Sequence, residues 1–258
     1  MRFRPCIDIH NGQVKQIVGG TLLDENDQAK ENFVSSEGAR AYASIYKQLG
    51  LFGGHVILLN GKESSYYKED VRQAKEALKE FPGGLMVGGG ITDENAKEFI
   101  EAGASHVIVT SYVFKDGQIN YHHLQKISDA VGKEHLVLDL SCRKRGDSYY
   151  VVTDRWQKFT KQQLTTTLLE ELSTYCDEFL IHAVDVEGMA NGIEEEVVTI
   201  LANAKGIKAT YAGGVSSYKD IEQLKTLGKN EIDVTIGSAL DLFGGKLELK
   251  QVLLQVKR

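Results

Sequence analysis

Proline is nearly missing from this chain, with 2 among 258 residues. Proline-rich linkers are thereby excluded, and 26 glycines supply tight turns instead. That balance favours one compact body over a string of domains. Cysteine is scarce as well. Cys6, Cys142 and Cys176 are odd in number and lack metal-ligand spacing, which excludes a disulfide framework and a zinc site. With no Cys–His pairing pattern to make a nucleophile, they read as small packing residues. No apolar run approaches the ~20 residues that a membrane helix needs. Met1-Arg2-Phe3-Arg4-Pro5 leads straight into a strand, without the apolar core of a signal peptide. There is no long basic run, and 36 acidic residues against 30 basic ones give a net charge of -6. A reduced, cytoplasmic monomer without membrane or nucleic-acid partners is therefore expected. What the chain does have is 42% hydrophobic and 26% charged residues. That composition supports a sizeable core and excludes disordered and collagen-like chains.

Short β-branched runs alternate with longer amphipathic segments. Strands are expected at Phe3–Ile9 with a continuation at Gln13–Gly19, then His55–Leu59, Leu85–Val87, His106–Thr110 and His135–Leu140. Phe179–Val184, Lys208–Tyr211 and Asp233–Ile236 complete the set. Helices are expected near 36–49, 67–80, 93–102, 121–131, 161–176, 193–204, 217–227 and 246–257. Runs such as HVILL, HVIVT and HLVLDL are apolar throughout, as in parallel strands covered on both faces. Eight strand–helix repeats in this length predict an α/β fold, the (β/α)₈ TIM barrel. The rival open sheet lacks support, because Asp8-Ile9-His10-Asn11-Gly12 carries no dinucleotide fingerprint.

The chain also resembles itself. Gly89-Gly90 and Gly213-Gly214 are 124 positions apart, Thr110-Ser111 and Gly237-Ser238 are 127 apart, and Asp8 and Asp139 are 131 apart. All three offsets lie near half the chain length. A single barrel over 1–258 is expected, built from two fused half-barrels of about 1–130 and 131–258.

In such barrels the chemistry lies at the C-terminal ends of the strands. Gly89, Gly90, Thr110 and Ser111 end strands 3 and 4, and Gly213, Gly214, Gly237 and Ser238 end strands 7 and 8. Glycines let backbone N–H groups approach an anion, and a helix start behind them adds its positive end. The pattern occurs twice, which predicts a small-molecule substrate with a phosphate at each end. Tight βα turns alone would also explain one such pair. Asp8 and Asp139 end strands 1 and 5, opposite each other, inside apolar strands where a carboxylate is costly to bury. They can serve as general acid and general base, although each could instead cap a loop. A metal site is disfavoured, since only Asp185 adds a further carboxylate nearby. The loop after strand 5 carries Arg143, suited to a polar or phosphate group, and Trp156, the single tryptophan, suited to stacking on a flat ring. Packing on the outer wall is the plain alternative for Trp156. Tyr149–Thr153 could form a small hairpin, and Gly19–Asn32 suits a lid or a passive loop. His182 and Asp185 end strand 6, where His182 could orient or protonate substrate or serve as a core histidine. His122 and His123 read as surface residues.

The motifs RPCIDIHNGQVKQIVGG, GGHVILL, LMVGGGI, LVLDLSCR, FLIHAVDVEG, YAGGVSS and VTIGSAL occur in order along nearly the whole chain. Together they resemble the histidine-biosynthesis isomerases that act on phosphoribosylformimino-5-aminoimidazole carboxamide ribotide (ProFAR), in their eukaryotic form. The resemblance implies a two-fold repeated barrel and an Amadori rearrangement of an aminoaldose, ProFAR, to the aminoketose PRFAR, without a cofactor. It implies Asp8 as general base and Asp139 as general acid, and it gives Trp156 the place of a loop tryptophan. The chain departs from many bacterial members at strand 6, where His182 takes a threonine position. It also departs at Thr110-Ser111, where Gly-Thr is commoner, and at Arg155, where a glycine is usual.

Two other functions are compatible with these residues. The sister cyclase, the imidazole glycerol phosphate synthase subunit that consumes ammonia, typically carries a lysine where His10 stands here, and Lys15 is only a loose match for a second one. A non-catalytic phosphosugar-binding barrel would have no use for intact acids at both strand ends. Activity on the related tryptophan-pathway substrate is left open by the sequence.

Overall fold

The computed structural model describes residues 1–18, 30–189 and 191–257. Eight strands form the barrel: β1 Cys6–His10, β2 Gly54–Leu58, β3 Leu85–Gly88, β4 Val107–Val109, β5 Leu136–Asp139, β6 Glu178–His182, β7 Ala209–Ala212 and β8 Asp233–Thr235. Each pairs in parallel with the next in chain order. The ring closes where Phe3 bridges Val234. There the Arg4 N–H donates to the Val234 carbonyl at 2.8 Å and the Val234 N–H to that of Arg2 at 2.9 Å.

Eight α-helices among the described residues cover the strands: α1 Ala39–Gln48, α2 Tyr67–Glu80, α3 Ala96–Glu101, α4 Tyr121–Val131, α5 Thr166–Leu172, α6 Glu195–Asn203, α7 Tyr218–Leu227 and α8 Leu249–Lys257. Their buried residues recur at helical spacing, as Asp70, Gln73, Ala74, Ala77 and Leu78 do on α2. Helix α5 starts later than its amphipathic pattern suggests. Lys158–Gln163 is extended, and the Thr165 side chain caps the helix by accepting from the Leu168 N–H at 3.1 Å.

Period-two alternation sorts every barrel strand into an outer and an inner set. On β5, Leu136 and Leu138 pack outward under the helices, while Val137 joins Met86, Ile108 and Leu180 in a separate apolar cluster inside the barrel. Below that layer, at the N-terminal ends of the strands, Arg4 is 5% exposed and ion-paired with Asp233 at 2.7 Å and Glu178 at 3.3 Å. Above it, the same alternation turns Asp8, Asp139 and His182 inward. Each stands two residues beyond a lower inward position: Cys6, Val137 and Leu180 respectively.

One loop feature differs from expectation, and a second bears out the strand expected to continue at Gln13–Gly19 over Gln13–Ile17. Tyr149–Thr153 lies not in a two-stranded hairpin but in the middle strand of a three-stranded antiparallel sheet, Cys142–Arg145, Ser148–Thr153 and Lys158–Gln163. The segment after β1 turns back antiparallel as Gln13–Ile17, and Glu31–Val34 pairs with it. Most of the expected lid, residues 19–29, lies outside the described residues.

Candidate active site

A cavity of about 510 Å³ opens at the C-terminal ends of the strands. Asp8 and Asp139 both line it, contributed by β1 and β5, which stand four strands apart around the ring. The two carboxyls have different surroundings. Among the described residues, the Gln16 amide donates to Asp8 Oδ2 at 3.3 Å. Burial raises the Asp8 carboxyl to about 7, against the pull of His182 and with help from Glu187. A group poised there exchanges protons at neutral pH.

Asp139 is held as a carboxylate. Its Oδ1 accepts from the Ser141 N–H at 2.8 Å and from the Ser141 hydroxyl at 2.6 Å. His182 Nδ1 stands 3.8 Å from Oδ2, an ion-pair distance, and 3.3 Å from Ser141 Oγ, which bridges the two. Burial works to raise the Asp139 carboxyl, but His182 and the Ser141 hydrogen bonds outweigh it and leave it below the ordinary range. For His182, burial works downward, yet contact with Asp139 and the charges of Glu187 and Asp8 raise it to about 9. The Ser141 donors and His182 thus favour the ionised form of Asp139, and Asp139 in turn favours the charged form of His182.

The eight glycine and hydroxyl residues fall into two groups. Gly89, Gly90, Thr110 and Ser111 line the large cavity, and Gly213, Gly214, Gly237 and Ser238 line a smaller one at β7 and β8. Their backbones match: φ is +100° and +68° at Gly89 and Gly90, and +121° and +73° at Gly213 and Gly214. A Cβ on Gly89 would stand 2.1 Å from the Leu58 carbonyl oxygen, and one on Gly213 would stand 2.8 Å from that of Ala183. Glycine is thus demanded at both turns by left-handed backbone and close packing on the preceding strand. The two groups differ in charge. Lys62 and Arg155 line the large cavity, and the Lys62 side chain runs over Gly90, its Cγ and Cε 3.4 Å from where a Cβ would stand. Glu187 lines both cavities.

Trp156 lines the large cavity rather than the outer wall, its ring centroid 5.7 Å from that of His182. It stands in a run of three left-handed residues, Asp154, Arg155 and Trp156, with φ of 51°, 55° and 66°. Arg143 and Asp185 are placed otherwise. They bind each other, Nε to Oδ1 at 2.8 Å, and neither lines a described cavity. Asp185 also accepts from the Lys144 N–H at 2.8 Å, so this pair fastens the loop after β5 to the end of β6. His122 is exposed, whereas His123 stacks on Tyr112 at 4.6 Å. The three cysteines are free and buried. Lys15 pairs with Glu31 at 2.6 Å.

Four contributors escaped the sequence reading: Ser141, Gln16, Lys62 and Glu187. A polar residue two positions beyond a strand-end aspartate is a usable signal for Ser141, since its N–H and hydroxyl can donate back to the aspartate carboxylate. Glu187 lies in a turn after β6, and no periodicity points it at a cavity. Burial raises its carboxyl and His182 lowers it, with the net direction upward.

Comparison with known proteins bears on this arrangement. The family described as histidine biosynthesis protein matches residues 2–248. The chain belongs to that family. Among relatives, it is similar to the chloroplastic 1-(5-phosphoribosyl)-5-((5-phosphoribosylamino)methylideneamino)imidazole-4-carboxamide isomerase of Medicago truncatula, 52% identical over 98% of this chain and 81% of the relative. Isomerases of the same name from Neurospora crassa and Saccharomyces cerevisiae are 47% and 43% identical, each over 95% of this chain and 94% of the relative. Membership in the histidine biosynthesis family agrees with the barrel. No described helix is long and apolar enough to cross a membrane.

Proposed function

We propose that this chain is the isomerase converting the aminoaldose ProFAR to the aminoketose PRFAR by acid–base catalysis. Its relatives carry that isomerase name. The observation that carries the reading is the division of glycine sites into two conformationally matched groups on opposite sides of a mouth that also holds Asp8 and the Asp139–Ser141–His182 cluster. A substrate with a phosphate at each end would lie across this mouth, its reacting sugar between the two acidic strand ends.

The chemistry needs a donor and an acceptor on opposite faces. A proton delivered to the ribose ring oxygen lets the C1–O bond break, as the amino nitrogen lone pair forms an iminium. The iminium acidifies the C2 hydrogen, and a base removes it to give an enolamine. Protonation at C1 and loss of the 2-hydroxyl proton yield the ketone. Asp8, poised near neutrality, suits the proton taken from C2 and returned to C1. The opposite cluster suits the oxygen side. Trp156, which lines the cavity, would stack on the substrate's imidazole ring, and Lys62, beside Gly90, would meet the phosphate at Gly89-Gly90. No step in this scheme calls on a metal or redox cofactor.

The decisive assay incubates the purified chain with the aminoaldose in the absence of ammonia. Ketose formation supports the isomerase, whereas a requirement for ammonia points to the cyclase and inertness to a binding barrel. The monomeric, cytoplasmic form and the fused half-barrel plan belong to the same proposal. Sedimentation and cell fractionation test the first two, and expression of 1–130 and 131–258 as separate pieces tests the third.

A further inference from the structure

We propose that His182, held by Ser141 and Asp139, is the proton carrier on the oxygen side of this reaction: it protonates the ring oxygen and later takes the proton from the 2-hydroxyl. The inference rests on the isomerase reading and deepens it. In place of a carboxylic acid at the end of β5, it assigns a charged imidazole at the end of β6.

Three observations converge on this ring. First, Nδ1 is engaged with Ser141 Oγ at 3.3 Å and faces Asp139 Oδ2 at 3.8 Å, while the ring lines the large cavity. Anchoring one nitrogen fixes the ring and leaves Nε2 for the substrate, the division of labour by which a carboxylate orients a catalytic histidine. Second, the charged and titratable groups around the ring are Asp139 on β5, Asp8 on β1, Glu187 after β6 and His55 on β2, its ring 6.1 Å away. Three of the four are acidic, and His55 stays neutral because burial and the charge on His182 lower it to about 3. This setting stabilises an imidazolium. Third, Asp139 Oδ1 accepts from two Ser141 donors, an arrangement that favours a carboxylate partner for the ring.

The proton inventory closes. His182 Nε2–H passes its proton to the ring oxygen as the C1–O bond breaks. Asp8 takes the C2 proton and returns it to C1. The 2-hydroxyl proton goes back to Nε2, restoring the imidazolium. Both groups end as they began, and the reaction neither gains nor loses a proton. Trp156 beside the ring would help exclude water from this exchange.

His182→Gln keeps a hydrogen-bonding side chain without a transferable proton. With the aminoaldose as substrate, kcat should fall by roughly 10²–10⁴-fold with KM nearly unchanged. The alkaline limb of the wild-type rate profile, near pH 9, should disappear with it. Ser141→Ala should move that limb toward lower pH, a shift that a purely structural role would not produce. Circular dichroism and Trp156 fluorescence titration establish folding and binding in each variant. The wild-type His182 ring, followed by NMR, should titrate near 9, which keeps the proposal testable should His182→Gln not fold. Near-wild-type turnover with an intact alkaline limb in His182→Gln would overturn it. So would a ring titrating at an ordinary histidine value, or an alkaline limb that Glu187→Gln removes and His182→Gln leaves alone. Failure of the wild-type protein itself to form ketose would instead overturn the isomerase reading, and this assignment with it.

Discussion

Gln16 occupies the space that a side chain on Gly237 would need. Its Oε1 lies 2.1 Å from where a Cβ on Gly237 would stand, while its amide donates to Asp8 Oδ2 at 3.3 Å. A backbone position in the second glycine group is thereby coupled, through one amide, to the carboxyl proposed to take the C2 proton. Gly237→Ala should displace Gln16 and disturb Asp8, lowering kcat as well as raising KM. Gly90→Ala, with strained backbone at φ +68° and Lys62 beside it, should act chiefly on KM. Steady-state kinetics of the two variants check this contrast, and equal kcat values would refute the coupling.

The rate should follow a bell in pH. Asp8 must be ionised to accept a proton, so activity falls as pH drops below about 7. His182 must be protonated to donate one, so activity falls as pH rises past about 9. A profile of kcat/KM across pH 5–10 reads both limbs (a wide plateau on the acid side would remove Asp8 from its role).

The carboxyl proposed to serve the reaction burdens the fold. The Asp8 carboxyl titrates near 7 in the folded chain, above the ordinary 3.8. A group raised in this way makes the folded state less stable as pH climbs from about 4 to about 7, because the folded chain must give up a proton it binds more tightly than the unfolded chain does. Asp8→Asn should therefore be slower in turnover yet more stable at pH 8, by ~1 kcal/mol or about 2–4 °C in melting temperature. Calorimetry at pH 4 and pH 8 measures the difference, which should shrink at the lower pH.

At the other end of the barrel the polar network is structural. Arg4 joins Asp233 and Glu178 below the apolar layer, away from the cavity. Arg4→Ala leaves Glu178 buried without its ion-pair partner and Asp233 with only the exposed Arg2, and should cost ~3–5 kcal/mol in denaturant unfolding. The KM of the remaining folded enzyme should not change, since residues at this face carry stability and not chemistry.

Much of this architecture was written in periodicity. Apolar runs at β2, β4 and β5 announced strands covered on both faces, and half-length offsets paired Gly89-Gly90 with Gly213-Gly214 before any coordinates. Asp8 and Asp139 stood out because a carboxylate inside such a run needs a reason. The parts that were illegible depend on pairing between segments. Ser141 meets His182 because β5 and β6 are parallel neighbours with Asp139 opposite Leu180, a register that continues two residues on, and no spacing within one segment encodes that contact. Arg143 looked like a substrate ligand because it lies on the loop after strand 5, and Asp185 because it ends strand 6. In three dimensions they satisfy one another, 42 positions apart in the chain. Gln16 reaches Asp8 through the antiparallel return of Gln13–Ile17, where it lies 8 residues on. Side chains that act through a neighbour leave a weaker trace in sequence than those that terminate a strand.

The most direct test is single-turnover conversion of the aminoaldose, without ammonia, by the wild-type chain and by Asp8→Asn. Product formation is followed alongside Trp156 fluorescence. Ketose should form with the wild type and slow by about 10²–10⁴-fold in the variant, while the fluorescence titration shows substrate still bound. Equal rates in the two proteins would contradict proton removal by Asp8 and the opposed acid–base arrangement built on it.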